Sequence, residues 1–276
     1  MNKLEYIPGK VPTRTVQMDG PISYVGTADN IRSRAWGYEL GYRDLLSANR
    51  PAREVDATFH ADYETLDELR RVADADVDAK MPGTFVAEGE WKQRGYIVSS
   101  DPSMIHWGRV ETELKILLLD GAWWRLVSTS FGVSDDESSS TYLDYQYDYQ
   151  YDYSQVIYAS SVESSVLTPS DIRLVIYGPA TNPFVNVGPN KYQVNVTVPS
   201  GGYVVVDGRD KTITLVLANG TVQNAFQYGV RGTGQGGGQY VFEPLESGPQ
   251  DVSWDGSFGF DLGWYEEEGE PPWSLS

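Results

Sequence analysis

Residues Val110 to Leu118 alternate strictly. Val110, Thr112, Leu114, Ile116 and Leu118 share one side, and Glu111, Glu113 and Lys115 share the other. That period of two is the pattern of a half-buried strand. Arg53 to His60 reads the same way, with Val55, Ala57 and Phe59 on one face, and Arg34 to Arg43 reads as a further strand. Thr84–Ala87 and Trp91–Val98 form an expected pair turning around Gly89, and Trp123, Trp124, Leu126 and Val127 follow another turn at Asp120-Gly121.

One helix interrupts the strands. Leu66, Leu69, Val72, Ala73 and Val77 recur at helical spacing. Thr65-Leu-Asp-Glu68 is a capping-box pattern, with Thr65 placed to cap, and Pro82-Gly83 closes the segment. Residues 1–33 carry Pro8-Gly9, Pro12 and Gly20-Pro21 and read as loops and short strands. The first region is therefore expected to be α+β: antiparallel strands with one helix.

A polar break, Asp135-Asp-Glu137 with its serines, precedes a tract with five tyrosines at every second position. Tyr145, Tyr147, Tyr149, Tyr151 and Tyr153 alternate with Gln146, Asp148, Gln150 and Asp152. In an extended backbone the rings line one face and the polar groups the other. A free linker favours Gly, Ser or Pro, so this ribbon is expected to lie against protein. After it no helical period returns. Strands are expected at Ile172–Tyr177, Phe184–Val187, Lys191–Val198, Tyr203–Val206, Lys211–Leu217, Gln239–Phe242 and Phe258–Leu262, with tight turns at Asp207-Gly208 and Asn219-Gly220. Short strands at close spacing describe a β-sandwich or jelly roll. The expected organisation is a first domain over 1–141, a Tyr/Asp-rich linker over 142–155 and a second domain over 156–276.

The totals narrow the chemistry. The chain has 276 residues, enough to bury a core without staples, and no cysteine, which removes disulfides, thiolate metal sites and a cysteine nucleophile. A net charge of -18 argues against a surface that grips phosphate backbones or anionic lipid. Met1 to Pro8 lacks the apolar stretch of an export signal, and Ile116-Leu-Leu-Leu119 is far too short to span a bilayer. A soluble protein that stays where it is made is expected, with no membrane insertion.

Candidate chemistry is sparse. Gly232-Thr-Gly-Gln-Gly-Gly237 fits a dinucleotide pattern, but Gln239–Phe242 after it reads as strand, not the helix that would hold phosphate. His60 and His106 are the only histidines, and neither has a local carboxylate partner in sequence. Asp144, Asp148 and Asp152 lack the glycine and terminal glutamate of a calcium loop. Asn195-Val-Thr and Asn219-Gly-Thr sit in or beside expected strands, where glycosylation matches arise by chance. Paired carboxylates are too common here to mark a glycosidase. No catalytic, metal or cofactor-binding residue is assigned, and no enzyme is expected.

The tyrosine tract and the C-terminus together resemble the distal tail proteins of long-tailed (siphovirus) phages that infect Gram-positive bacteria. Three features carry the likeness: a β-rich first domain with one helix, the Tyr145–Tyr153 tract, and a sandwich ending in an aromatic, acidic tail. That tail reads Trp254-Asp-Gly-Ser-Phe-Gly-Phe-Asp-Leu-Gly-Trp264, then Glu266-Glu-Glu-Gly-Glu-Pro-Pro-Trp273. Glutamines 146 and 150 stand where proline is expected, and glutamates replace a basic residue near the ending. The resemblance implies a mainly β protein, with an α+β belt domain followed by a galectin-like sandwich. It implies a homo-hexameric ring at the virion tail tip, made in the host cytoplasm, with the belt domains around a central channel and the sandwiches outside. The implied partners are the tail tube protein, the tape measure protein, the tail-associated lysin or hub protein and a receptor-binding protein, with DNA only passing through. No cofactor comes with it. Tyr145, Tyr147, Tyr149, Tyr151, Tyr153 and Trp273 are candidate inter-subunit or inter-domain contacts. The alternative is a carbohydrate-binding module acting in cell-surface recognition through residues 156–250.

Overall fold

The computed structural model describes residues 4–20, 23–26, 28–33, 36–133, 158–164 and 167–271. They fold mainly as antiparallel strands with one long helix. The chain divides into two compact units, Met1–Arg125 with Glu267–Ser276, and Leu126–Glu266. The expected boundary over 142–155 lies outside the described residues. The changeover instead falls inside two strands, Trp123–Phe131 and Phe260–Glu268, so the second unit is an insertion in the first.

In the first unit, Arg53–Asp62 pairs along its whole length with Arg109–Leu118, which pairs in turn with the 16-residue strand Trp91–His106. The outer side of Trp91–Gly95 carries Gly83–Ala87, followed by Leu4–Ile7 and Val16–Gln17. The alternation predicted for residues 110–118 is observed: Leu114, Ile116 and Leu118 are buried with Phe59, Phe85 and Trp123. Against this face lies the helix Tyr63–Ala79, through Leu66, Leu69, Val72 and Ala73.

The helix starts earlier than its pattern suggested. Its cap is Asp62, not Thr65: the Asp62 carboxylate accepts the Thr65 N–H at 2.8 Å. Aspartate is as good a cap as threonine, and the preceding strand delivers Asp62 in extended geometry. That bond holds the Asp62 carboxyl below the usual carboxylate range. Lys80, in the left-handed conformation, ends the helix before Pro82 is reached. In the last turn Asp76 is wholly buried and accepts from Tyr6 Oη (2.7 Å) and the backbone N–H groups of Gly9 (3.1 Å) and Lys10 (2.8 Å). The returning C-terminal segment is pinned to this unit by buried Arg32, which donates to the Pro271 carbonyl and pairs with Glu88.

In the second unit one sheet runs Phe260–Glu268, Ile172–Tyr177, Tyr203–Asp207, Thr212–Val216, Val222–Asn224. The other runs Tyr158–Ser164, Gly248–Trp254, Phe184–Val187, Asn190–Gln193. Both sheets feed one core, with Ile176, Val204, Ile213, Phe260 and Leu262 from the first and Val185, Val187, Tyr192 and Val252 from the second. Trp254, Phe258, Phe260 and Trp264 are all buried in it. Gln239–Phe242 is a correction: it is not a strand but a turn, in which Val241 and Phe242 are buried as anchors of the glycine loop.

Three phenols sit in or at the edge of these cores. Tyr6 bonds to Asp76, Tyr192 to the Glu243 carbonyl (2.8 Å) and Tyr265 to Asp207 (2.7 Å). Burial first, and for Tyr6 and Tyr265 the carboxylate partner next, pushes all three well above the tyrosine range. The unfolded chain releases these protons from about pH 10, while the folded chain keeps them. Their contribution is therefore complete below about pH 10 and is lost above it, by up to about 1.4 kcal/mol per pH unit per phenol. Urea midpoints should hold steady to about pH 10 and then drop steeply, and Tyr192→Phe should shallow that drop. A midpoint unchanged well above pH 10 would contradict the assignment.

Candidate assembly surfaces

Gly37–Leu40 and Leu45–Asn49 form a two-stranded ribbon that, among the described residues, belongs to no larger sheet. The turn between them is held by Asp44, whose carbonyl accepts the Gly41 N–H and whose carboxylate accepts the Leu45 N–H, both at 2.8 Å. Nearly every residue of the ribbon faces water. Tyr38 and Leu40 are each 67% exposed, Leu46 is 64% exposed and Tyr42 is 92% exposed. Arg43 lies over the Tyr42 ring and Arg50 over the Trp36 ring (4.4 Å to the centroid). A lone hairpin is at best marginal in water, and a cluster of large apolar side chains on it marks a contact surface.

A second surface is a strand edge. Beyond Gly95 the outer side of the Trp91–His106 strand has no strand partner among the described residues. It projects as a hairpin with Arg109–Leu118 and turns at Trp107-Gly108, where Gly108 takes φ +76°. Trp107 at the tip is fully exposed, with Ile105 and Met104 beside it. Pro102 and two irregularities of register, at Ile97/Ser99 and Pro102/Met104, lie along the edge. Such features blunt an edge against indiscriminate pairing.

The third surface is the solvent face of the same sheet. Asp101 pairs directly with Glu113 across the strands, and Glu111, Asp56 and Glu54 lie in the same outward rows. Lys115 is the one lysine among them and bonds to Glu54 at 2.6 Å. Its ammonium is held above its usual value, by that bond first and then by the charges of Glu54, Asp56 and Asp101. Like charges directly opposite one another destabilise a sheet, so this acidic face is not explained by folding.

The residues singled out in the sequence fare unevenly. Tyr145, Tyr147, Tyr149, Tyr151, Tyr153 and Trp273 lie outside the described residues. His60 stacks on Tyr24 (4.3 Å), with Nδ1 3.7 Å from Glu111 across the sheet, and His106 sits at the projecting hairpin's end. At the glycine loop, Gly236 N–H donates to the Glu243 carboxylate at 2.9 Å. A carboxylate thus occupies the place a phosphate would need, and no helix follows. Among the described residues no helix is long and apolar enough to cross a membrane. The ribbon's first strand, Gly37–Leu40, falls within the expected Arg34–Arg43, but its partner Leu45–Asn49 was missed because Leu45-Leu46 breaks the alternation; adjacent leucines on both faces of a short strand were the available signal.

No family model and no curated protein matches the chain. Solved structures do. The Dit protein (gp 19.1) of phage SPP1, described as a paradigm of the hub adsorption apparatus in phages infecting Gram-positive bacteria, is similar at 10% identity and TM-score 0.52, over 97% of this chain and 99% of that one. The chain has the fold of phage distal tail (Dit) proteins. A chain of the phage P2 baseplate, in its activated conformation with calcium, is similar at 8% identity and TM-score 0.61, over 98% of this chain and all of that one. The same baseplate with strontium gives 9% identity and TM-score 0.59, with the same coverage. The Dit fold thus accounts for both compact units, not for one alone.

Proposed function

We propose that this protein is a structural component of a phage tail tip. Six copies close a ring that joins the tail tube to the host-adsorption apparatus and leaves a channel for DNA. The observation that carries this reading is the Gly37–Asn49 ribbon: a folded protein does not keep so many large apolar side chains in water without a partner. The near-full-length likeness to Dit and baseplate chains supports it.

The ribbon and the bare edge are different surfaces of one chain. Contact between them is heterologous, which a closed ring requires. In our reading the ribbon of one copy extends the sheet of its neighbour along Val98–His106, satisfying backbone groups by strand addition. The acidic face then forms the channel wall. DNA carries one negative charge per ~1.7 Å of axis, so a wall bearing Glu54, Asp56, Glu111 and Glu113 repels it and keeps it sliding. The second unit is read as the galectin-like sandwich of the same assembly. The work of such a protein is geometric: it holds tube, tape measure protein and hub in register and performs no turnover.

Native mass spectrometry over a concentration series, with negative-stain images of the same sample, tests the reading. A species at six times the 30.7 kDa chain mass, seen as an open ring, is expected. A monomer at every concentration and in every image would overturn it.

A further inference from the structure

A cleft of about 210 Å³ opens between the helix Tyr63–Ala79 and the Trp91–His106 strand, beside the bare edge. Its floor is apolar: Leu69 and Ala73 come from the helix, Ile97 and Leu114 from the sheet, and all four are buried. Its mouth is polar. Arg70 and Asp74 stand one helical turn apart on one wall, and Ser100 stands on the other. Arg70 Nε donates to Ser100 Oγ at 3.2 Å, and Ser100 Oγ lies 3.1 Å from the hydroxyl of buried Thr112, so the guanidinium is tethered across the mouth. The Asp74 carboxylate has no hydrogen-bond or ion-pair partner among the described residues. A space of this size falls below the ~300 Å³ at which small-molecule sites begin, and suits one large side chain.

We propose that the cleft seats Tyr38 from the ribbon of a neighbouring copy. The inference rests on the ring reading above and carries it from strand to side chain. An apolar floor under a polar mouth calls for a side chain with an apolar body and a polar tip. The ribbon presents one on its apolar side. Tyr38 opposes Ala48 and Leu40 opposes Leu45, so these four residues share a side, while Glu39 opposes Ser47 and Gly37 opposes Asn49 on the other. In the receiving sheet, Ser100 and Leu114 are cross-strand partners on the helix side, and Ser99 and Lys115 on the acidic side. A strand added along this edge therefore turns its apolar side to the helix, because the opposite setting buries Glu39 there. In that setting Tyr38 enters the cleft and its hydroxyl donates to Asp74. Tyr42 is less suited, since it lies in the turn with Arg43 over its ring. The occupant is a second copy because the two features of one chain do not meet: Tyr38 is 67% exposed and does not line the cleft.

The chain has no cysteine, so a pair of thiols introduced into it reacts without background. Glu39→Cys with Ser99→Cys puts that pair on the acidic side and leaves the cleft intact. Treated with a short bis-maleimide, this variant should give a covalent ladder up to the hexamer on a denaturing gel. Either single-cysteine variant, with one thiol per chain, cannot pass the dimer. Tyr38→Ala should weaken assembly at least about tenfold per contact in sedimentation velocity. Tyr38→Phe and Asp74→Ala should each weaken it less, and together no more than the stronger of the two, since both remove the same bond. All these variants should melt with the parent, because Tyr38 and Asp74 are exposed in the isolated chain. Rings without a ladder, or rings indifferent to Tyr38→Ala, overturn the seat and leave the ring standing. A parent chain that forms no ring overturns both.

Discussion

If the proposed ring is closed through the ribbon, a chain carrying Leu40→Asp and Leu46→Asp should run as a monomer at concentrations where the parent assembles, and should melt at the parent's temperature. Both leucines are exposed in the isolated chain and belong to neither core. Their loss therefore costs folding almost nothing. In the ring each would be covered, contributing about 1.5–3 kcal/mol. A carboxylate in its place adds a desolvation penalty of several kcal/mol. Two such changes remove roughly 6 kcal/mol or more per contact, or about four decades in association. Sedimentation velocity reads the assembly and a thermal melt reads the fold. A double variant that still forms rings would remove the ribbon from the interface; one that loses both ring and melting temperature would make it part of the fold.

Asp76→Ala should be the most damaging single change to stability, costing about 3–5 kcal/mol of unfolding free energy. The carboxylate is wholly buried and serves the Tyr6 hydroxyl and the N–H groups of Gly9 and Lys10. Alanine leaves a phenol and two backbone donors unpaired at once, each costing about 1–3 kcal/mol. A domain holds only about 5–15 kcal/mol in all. Tyr6→Phe should cost far less, because Asp76 keeps its two backbone donors. Urea midpoints at constant slope measure both. Equal losses from the two variants would show that the bond to Tyr6, rather than the anchoring of residues 9 and 10, is what matters. An aspartate in the last turn opposes the helix dipole, and this N-terminal anchor is its physical reason.

Much of the frame was legible because alternation and helical period respond to burial, and burial is what orders these elements. Ile172–Tyr177 and Phe184–Val187 fall where the pattern put them. The helix was legible, but its cap was not, since Asp62 and Thr65 are both competent and only the entering strand decides. Gln239–Phe242 misled because two buried apolar residues in a turn imitate one strand face. The unit boundary was hidden for a different reason. Trp123–Phe131 is one continuous strand, and no glycine or proline marks where one core stops and the next begins. The assembly surfaces were the hardest to read: an exposed leucine looks the same in sequence as a buried one, and the ribbon's character appears only once nothing covers it.

Because the polypeptide enters the second unit through one strand and comes back through another, that unit hangs on two covalent cords. Tension applied to it divides between them, and a protease that nicks any one of its loops frees no fragment. A part anchored in this manner resists being pulled or clipped away from the rest of the chain.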